Sequence, residues 1–119
     1  MRCVNVMRGI EYKMKTAEII TAAEIGAMTV IDLRDAEELH SSGYASGALH
    51  IPLNDLVAKA DPSSPQHDRR LVPGRPVAVY SAAGRRARIA VQLLNGFGYQ
   101  AVDIGGFYVW AAAGGPVSR

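Results

Sequence analysis

Residues 77–88 read Val-Ala-Val-Tyr-Ser-Ala-Ala-Gly-Arg-Arg-Ala-Arg, an apolar strand that runs through six residues, Ser81 to Arg86, into a helix. Such a turn points its backbone N–H groups inward, and the helix on its far side adds a positive dipole end. Negative charge is therefore favoured at its centre. A nucleophile on the first residue would be activated by those donors, and a thiol there would have its pKa lowered. The first residue is Ser81, so a loop shaped for catalysis carries a hydroxyl.

The rest of the chain alternates short apolar runs with helical stretches, the pattern of an α/β domain with a mainly parallel sheet. Strands are predicted over Glu18–Ile20, Thr29–Leu33, Ala48–Ile51, Val77–Tyr80 and Ala101–Ile104, giving a central five-stranded sheet. Thr21-Ala22-Ala23-Glu24 has the form of a capping box and predicts a brief helix over Ala22–Ala27. Asp35 is the expected N-cap of a helix to about Ser41 that Gly43 ends, and Asn54 that of a helix over Asp55–Lys59. Ile89, Ala90, Leu93 and Leu94 fall at helical spacing within Arg86–Leu94. Gly105-Gly106 reads as a turn into a last short helix over Phe107–Ala113. In an open α/β sheet ligands bind at the carboxyl edge of the strands. Ser81, Asp32, Arg34 and the Gly105-Gly106 turn are expected on that edge.

At 119 residues, with 49% hydrophobic and 20% charged residues, the chain suits one domain with an ordinary core. Its apolar runs are far shorter than the roughly 18 to 20 residues of a membrane span, and no membrane association is expected. A net charge of +2 with only Arg85, Arg86 and Arg88 clustered does not argue for nucleic acid. Cys3 is the one cysteine, which excludes an intrachain disulfide and points to a cytoplasmic protein. Residues 1–14 read as an N-terminal extension without signal-peptide character, and residues 15–119 as the domain. His40, His50 and His67 lack metal-ligand spacing, and no metal or cofactor is implied.

Four stretches in this order resemble the rhodanese-like domain of single-domain sulfurtransferases. They are Val30 to Asp35 with Glu37-Glu38; Gly43 to Pro52; Tyr80 to Ala87; and Asp103-Ile104-Gly105-Gly106 with Trp110 and Gly115-Pro116. The similarity runs from about Ile19 to Val117. It implies an α/β rhodanese-like fold with helices on both faces of the sheet. The implied activity is sulfane sulfur transfer from thiosulfate or a persulfide through a cysteine persulfide, without a cofactor. The partners would be a small anionic sulfur donor and a thiol acceptor.

The resemblance places the catalytic cysteine at Ser81 and matches the closing glycine and arginine of the loop to Gly84 and Arg86. Ser81 and Arg86 are thus the candidate catalytic positions, Ser81, Ala82, Ala83, Gly84, Arg85 and Arg86 the candidate anion-binding loop, and Asp32 and Arg34 a supporting hub or ion pair. A serine oxygen does not substitute for sulfur in a sulfur–sulfur intermediate, so the chain as written is expected to be inactive. Two origins of the serine stay open: a natural member that keeps the domain to bind an anion or a protein partner, and a Cys-to-Ser replacement. Tyr44-Ala45-Ser46 also departs from the family's usual His-Ile-Pro, and loss of the proline is expected to loosen that bend. Only four residues separate Ser81 from Arg86. Phosphatases of this fold have a loop one residue longer, so phosphate esters are disfavoured. Cations at a helix start oppose the dipole, so Arg85 or Arg86 is expected to meet an anionic ligand or a carboxylate.

Overall fold

The computed structural model describes residues 13–119. Cys3 and most of the expected extension lie outside the described residues. The elements in chain order are α1 (Thr16–Glu24), β1 (Thr29–Asp32), α2 (Ala36–Ser42), β2 (Tyr44–Ala45), β3 (Leu49–His50), α3 (Leu53–Ala60), β4 (Val77–Ser81), α4 (Arg85–Gly96), β5 (Ala101–Gly106), α5 (Phe107–Ala112) and β6 (Val117–Ser118). Among the described residues the central sheet has four parallel strands in the order β3-β1-β4-β5, and β2 and β6 form a separate antiparallel ribbon.

β4 lies inside the sheet and every one of its residues is buried. Its side chains alternate between two cores. Val77 and Val79 face one core with Ile31, Leu56, Ala87, Ala90 and Leu94, which places α3 and α4 on that side. Ala78 and Tyr80 face the other with Ile19, Ile20, Val102 and Trp110, contributed by α1, β5 and α5. Helices thus cover both faces, as expected. In α4 the buried residues Ala87, Ala90, Val91 and Leu94 recur at the i, i+3, i+4, i+7 spacing of one helical stripe.

The strand expected over Glu18–Ile20 is helix instead, which accounts for four strands where five were expected. Ile19 and Ile20 are buried, and Ala22 and Ala23 pack partly against the same core. That spacing is a helical stripe, and the alanines favour helix strongly. The helix begins at Thr16, where the Glu18 carboxylate accepts the Lys15 N–H at 2.9 Å, so the Thr21–Glu24 capping box is not its start. α3 begins at Leu53, directly after extended Pro52, rather than under an Asn54 cap. Gly105 and Gly106 belong to the end of β5, which passes straight into α5.

The bend at Tyr44-Ala45-Ser46, which lacks the family's proline, is held by hydrogen bonds. The Ser46 N–H, which a proline would lack, donates to the Pro116 carbonyl at 2.9 Å. The Ser46 and Ser118 hydroxyls meet at 2.7 Å, and the Ala45 N–H donates to the Tyr80 hydroxyl at 2.9 Å. A hydrogen-bonded ribbon does what ring closure would have done. Trp110 anchors its other side through Nε1–H to the Pro116 carbonyl at 2.9 Å.

Candidate anion-binding loop

β4 ends at Ser81, and α4 begins at Arg85 after Gly84, whose φ of +97° is a left-handed conformation suited to glycine. This bend brings the Gly84 and Ala87 N–H groups onto the Ser81 Oγ, each at 3.2 Å. Two amides, one within the loop and one just past it, thus face the side chain of the first loop residue. Ser81 is completely buried, whereas Ala82, Ala83 and Arg85 are exposed at the mouth. Among the described residues nothing accepts the Ser81 hydroxyl hydrogen.

The floor beside the loop is made by β5. A register shift opposite Val79 and Tyr80 sets Gly105 beside Tyr80 and Gly106 beside Ser81. A Cβ on Gly106 would lie 2.7 Å from the Ala82 carbonyl oxygen and 2.6 Å from the Tyr108 ring. The loop can lie this close to β5 only because position 106 has no side chain.

Asp32 and Arg34 form a buried network that lies on the strand beside β4. Arg34 donates through Nε to Asp32 Oδ1 at 3.1 Å and through Nη2 to Oδ2 at 2.8 Å, and its N–H donates to Oδ1 at 2.9 Å. Nη1 and Nη2 also reach the Ser42 hydroxyl and the Gly43 carbonyl, each at 2.7 Å. The guanidinium stacks 4.5 Å from the centre of the Phe107 ring. Tyr80 donates its hydroxyl hydrogen to Asp32 Oδ2. Burial, and then that bond, push the Tyr80 hydroxyl pKa well above its ordinary value. With four of its five guanidinium N–H donors engaged by Asp32, Ser42 and Gly43, Arg34 holds these elements together.

Arg86 meets a carboxylate, as its place at a helix start requires, and the carboxylate is Glu38 of α2. Nη1 and Nη2 donate to Oε2 and Oε1 at 2.9 Å each. These bonds hold the Glu38 carboxyl at about 2, well below the usual range. The Arg86 guanidinium is therefore engaged by Glu38. Arg85 and Arg88 are exposed and pair with no carboxylate among the described residues. Sequence reasoning passed over Glu38 and Tyr80 as site residues. The legible signals were the need of an N-terminal arginine for a counter-charge and a lone hydroxyl in the otherwise apolar run before Ser81.

Two of the three histidines lie within hydrogen-bond distance of other parts of the fold. The His50 ring lies 2.6 Å from the Arg34 carbonyl, and that of His67 lies 3.0 Å from the Tyr99 hydroxyl. Among the described residues no group of His, Cys, Asp and Glu could hold a metal ion, and no helix is long and apolar enough to cross a membrane.

A parallel sheet covered by helices on both faces defines an α/β domain, here with a strand–loop–helix that folds two amides onto one side chain. The chain belongs to the rhodanese-like domain family, whose sequence profile matches residues 15–113. Among solved structures it is similar to a rhodanese-like domain from Anabaena sp., at 32% identity and TM-score 0.63 over 77% of this chain and 99% of that one. A rhodanese-related protein from Thermoplasma volcanium shares 29% identity, TM-score 0.69, over 91% of this chain and 96% of its own. A protein of unknown function from Rhodopseudomonas palustris, described as a possible tyrosine phosphatase, shares 25% identity with TM-score 0.79, over 99% of this chain and 100% of its own. No curated protein matches the chain.

Proposed function

We propose that this is a rhodanese-like domain of the sulfur-transfer type, held inactive by the hydroxyl of Ser81. The carrying observation is the pair of amides, Gly84 and Ala87, that converge on Ser81 Oγ at 3.2 Å. Two N–H donors at the start of a helix stabilise a thiolate in that position and lower its pKa. A cysteine thiolate there would attack the sulfane sulfur of thiosulfate. The sulfur–sulfur bond of thiosulfate breaks, and sulfite leaves with its electron pair. Cyanide or an acceptor thiolate then takes the outer sulfur of the persulfide and returns the thiolate. Among the described residues no base bonds the Ser81 hydroxyl to activate it, and its oxygen does not form the persulfide.

The test is Ser81→Cys, assayed for thiocyanate from thiosulfate and cyanide. Turnover by the cysteine variant, with none by the chain as written, supports the reading. A folded but silent variant overturns it.

A second reading, a non-catalytic module that holds an anion or a protein partner at this edge, is favoured by one observation. Among the described residues the buried Ser81 hydroxyl accepts two hydrogen bonds and donates none, so it has a hydrogen to offer to an anion entering the loop. The phosphatase description of the Rhodopseudomonas relative does not carry over well. The loop here is short for a phosphate ester, and Arg86 is engaged by Glu38. A lone cysteine and persulfide chemistry that needs free thiols both favour a cytoplasmic setting. Neither nucleic acid nor a membrane has a place in this reading.

A further inference from the structure

The arginine that closes the loop in sequence is held by another helix. Glu38 grips Arg86 with both carboxylate oxygens at 2.9 Å, and the Asp35 N–H fixes Glu38 Oε2 in turn at 2.8 Å. Water reaches this clamp, because the two side chains remain 30% and 31% exposed. The Ala87 N–H, the amide after Arg86, is 3.2 Å from Ser81 Oγ, which places the Arg86 Cα within roughly 6 Å of that oxygen. An extended arginine reaches farther than this. The Arg86 side chain is therefore long enough to span the distance from its own backbone to Ser81.

We propose that Glu38 is a specificity-determining competitor for the anion site: an oxyanion arriving at the Ser81–Arg86 loop must take Arg86 from Glu38. The proposal rests on the reading of this loop as an anion cradle. A carboxylate and an oxyanion such as thiosulfate present a guanidinium with the same bidentate geometry. The ligand therefore gains only the difference between its own contact and the one it displaces. Arg85 and Arg88, exposed at the same helix start, draw anions to the mouth but have no matching restraint. Glu38 then sets a threshold: weakly charged ligands leave the clamp closed, and multiply charged ones open it.

The experiment titrates the chain as written with thiosulfate and follows the Arg86 side-chain Nε–H resonance together with the amides of residues 82–87. The expected result is a joint shift of the side chain and the loop amides. Glu38→Gln should then bind thiosulfate about tenfold more tightly, as one freed charge-assisted hydrogen bond implies. That gain should vanish when Arg86→Gln is added. Binding that is absent, or no tighter in Glu38→Gln, overturns the proposal, as does a gain that survives the loss of Arg86. Should Glu38→Gln fail to fold, Glu38→Asp, with its shorter reach, gives a smaller gain in the same direction, and no gain there also overturns it. Failure of the sulfur-transfer reading is separate: a silent Ser81→Cys protein whose thiosulfate binding still responds to Glu38 leaves the competition standing.

Discussion

Tyr80 and Asp32, 48 residues apart in the chain, are joined by a hydrogen bond from the phenol to the carboxylate Oδ2, in a place closed to solvent. The same phenol oxygen accepts the Ala45 N–H, so one side chain ties the strand that carries Ser81 to its neighbouring strand and to the outer ribbon. Buried polar groups are tolerated only when paired, and this pairing positions the loop from below.

Tyr80→Phe is expected to lower stability by about 1–3 kcal/mol, because it leaves the Ala45 N–H without its acceptor and removes a donor from Asp32. Urea unfolding should show a lower midpoint with an unchanged slope. An unaltered midpoint would mean that the network contributes nothing to the folded state.

Asp32→Ala is expected to be much worse, costing about 3–5 kcal/mol, because it strands the Arg34 guanidinium, itself only 3% exposed. Replacing both by apolar residues, Asp32→Leu with Arg34→Met, should cost less than Asp32→Ala alone. A double-mutant cycle by thermal unfolding measures this coupling; strict additivity of the single changes would refute it.

The Glu38 carboxyl falls from an ordinary 4.5 to about 2, chiefly through the Arg86 hydrogen bonds. A depressed carboxyl pKa favours the folded state above the unfolded value, so the contribution is complete at neutral pH and is lost as pH falls from 4.5 towards 2. Solvent access limits it to about 1 kcal/mol. Asp68, held at about 2 by Arg70, loses its contribution as pH falls from 3.8 towards 2. Glu38→Gln should therefore flatten part of the acid slope of stability and leave the Asp68 part. An unchanged pH profile in the variant would contradict the assignment.

Gly106→Ala should displace the Ala82 carbonyl and the Tyr108 ring, since the new methyl would lie 2.7 Å and 2.6 Å from them. The expected outcome is about 1–3 kcal/mol of destabilisation together with shifted amide resonances throughout residues 82–87. Gly47→Ala is the control: unlike Gly106 it sits at positive φ, +82°, and a Cβ there meets open space. It should cost only about 1 kcal/mol and leave the loop amides alone. Equal loop perturbation by both would rule out the close approach as the cause.

The amino-acid sequence determined the parts of this protein that depend on short-range pattern. The apolar run of β4, the helical stripe of α4 and the bend at Ser81–Arg86 follow from periodicity and from Gly84, and the four-part resemblance to rhodanese-like domains was legible before any coordinates. Tertiary structure decided whatever requires a partner distant in the chain. Ile19 and Ile20 suit a strand or a helix, and packing with Ala22 and Ala23 against the α1 side of the sheet selected the helix. The β2–β6 ribbon joins residues 72 positions apart at Ser46 and Ser118, a pairing that two-residue strands do not announce. Arg86 showed that it needed a negative charge, because cations at a helix start are unfavourable. That the charge comes from Glu38, 48 residues earlier in the chain, follows from the placement of α2 in space and not from local pattern. Coulomb and hydrogen-bond energies depend on distance in space, and local sequence fixes such distances only within one element.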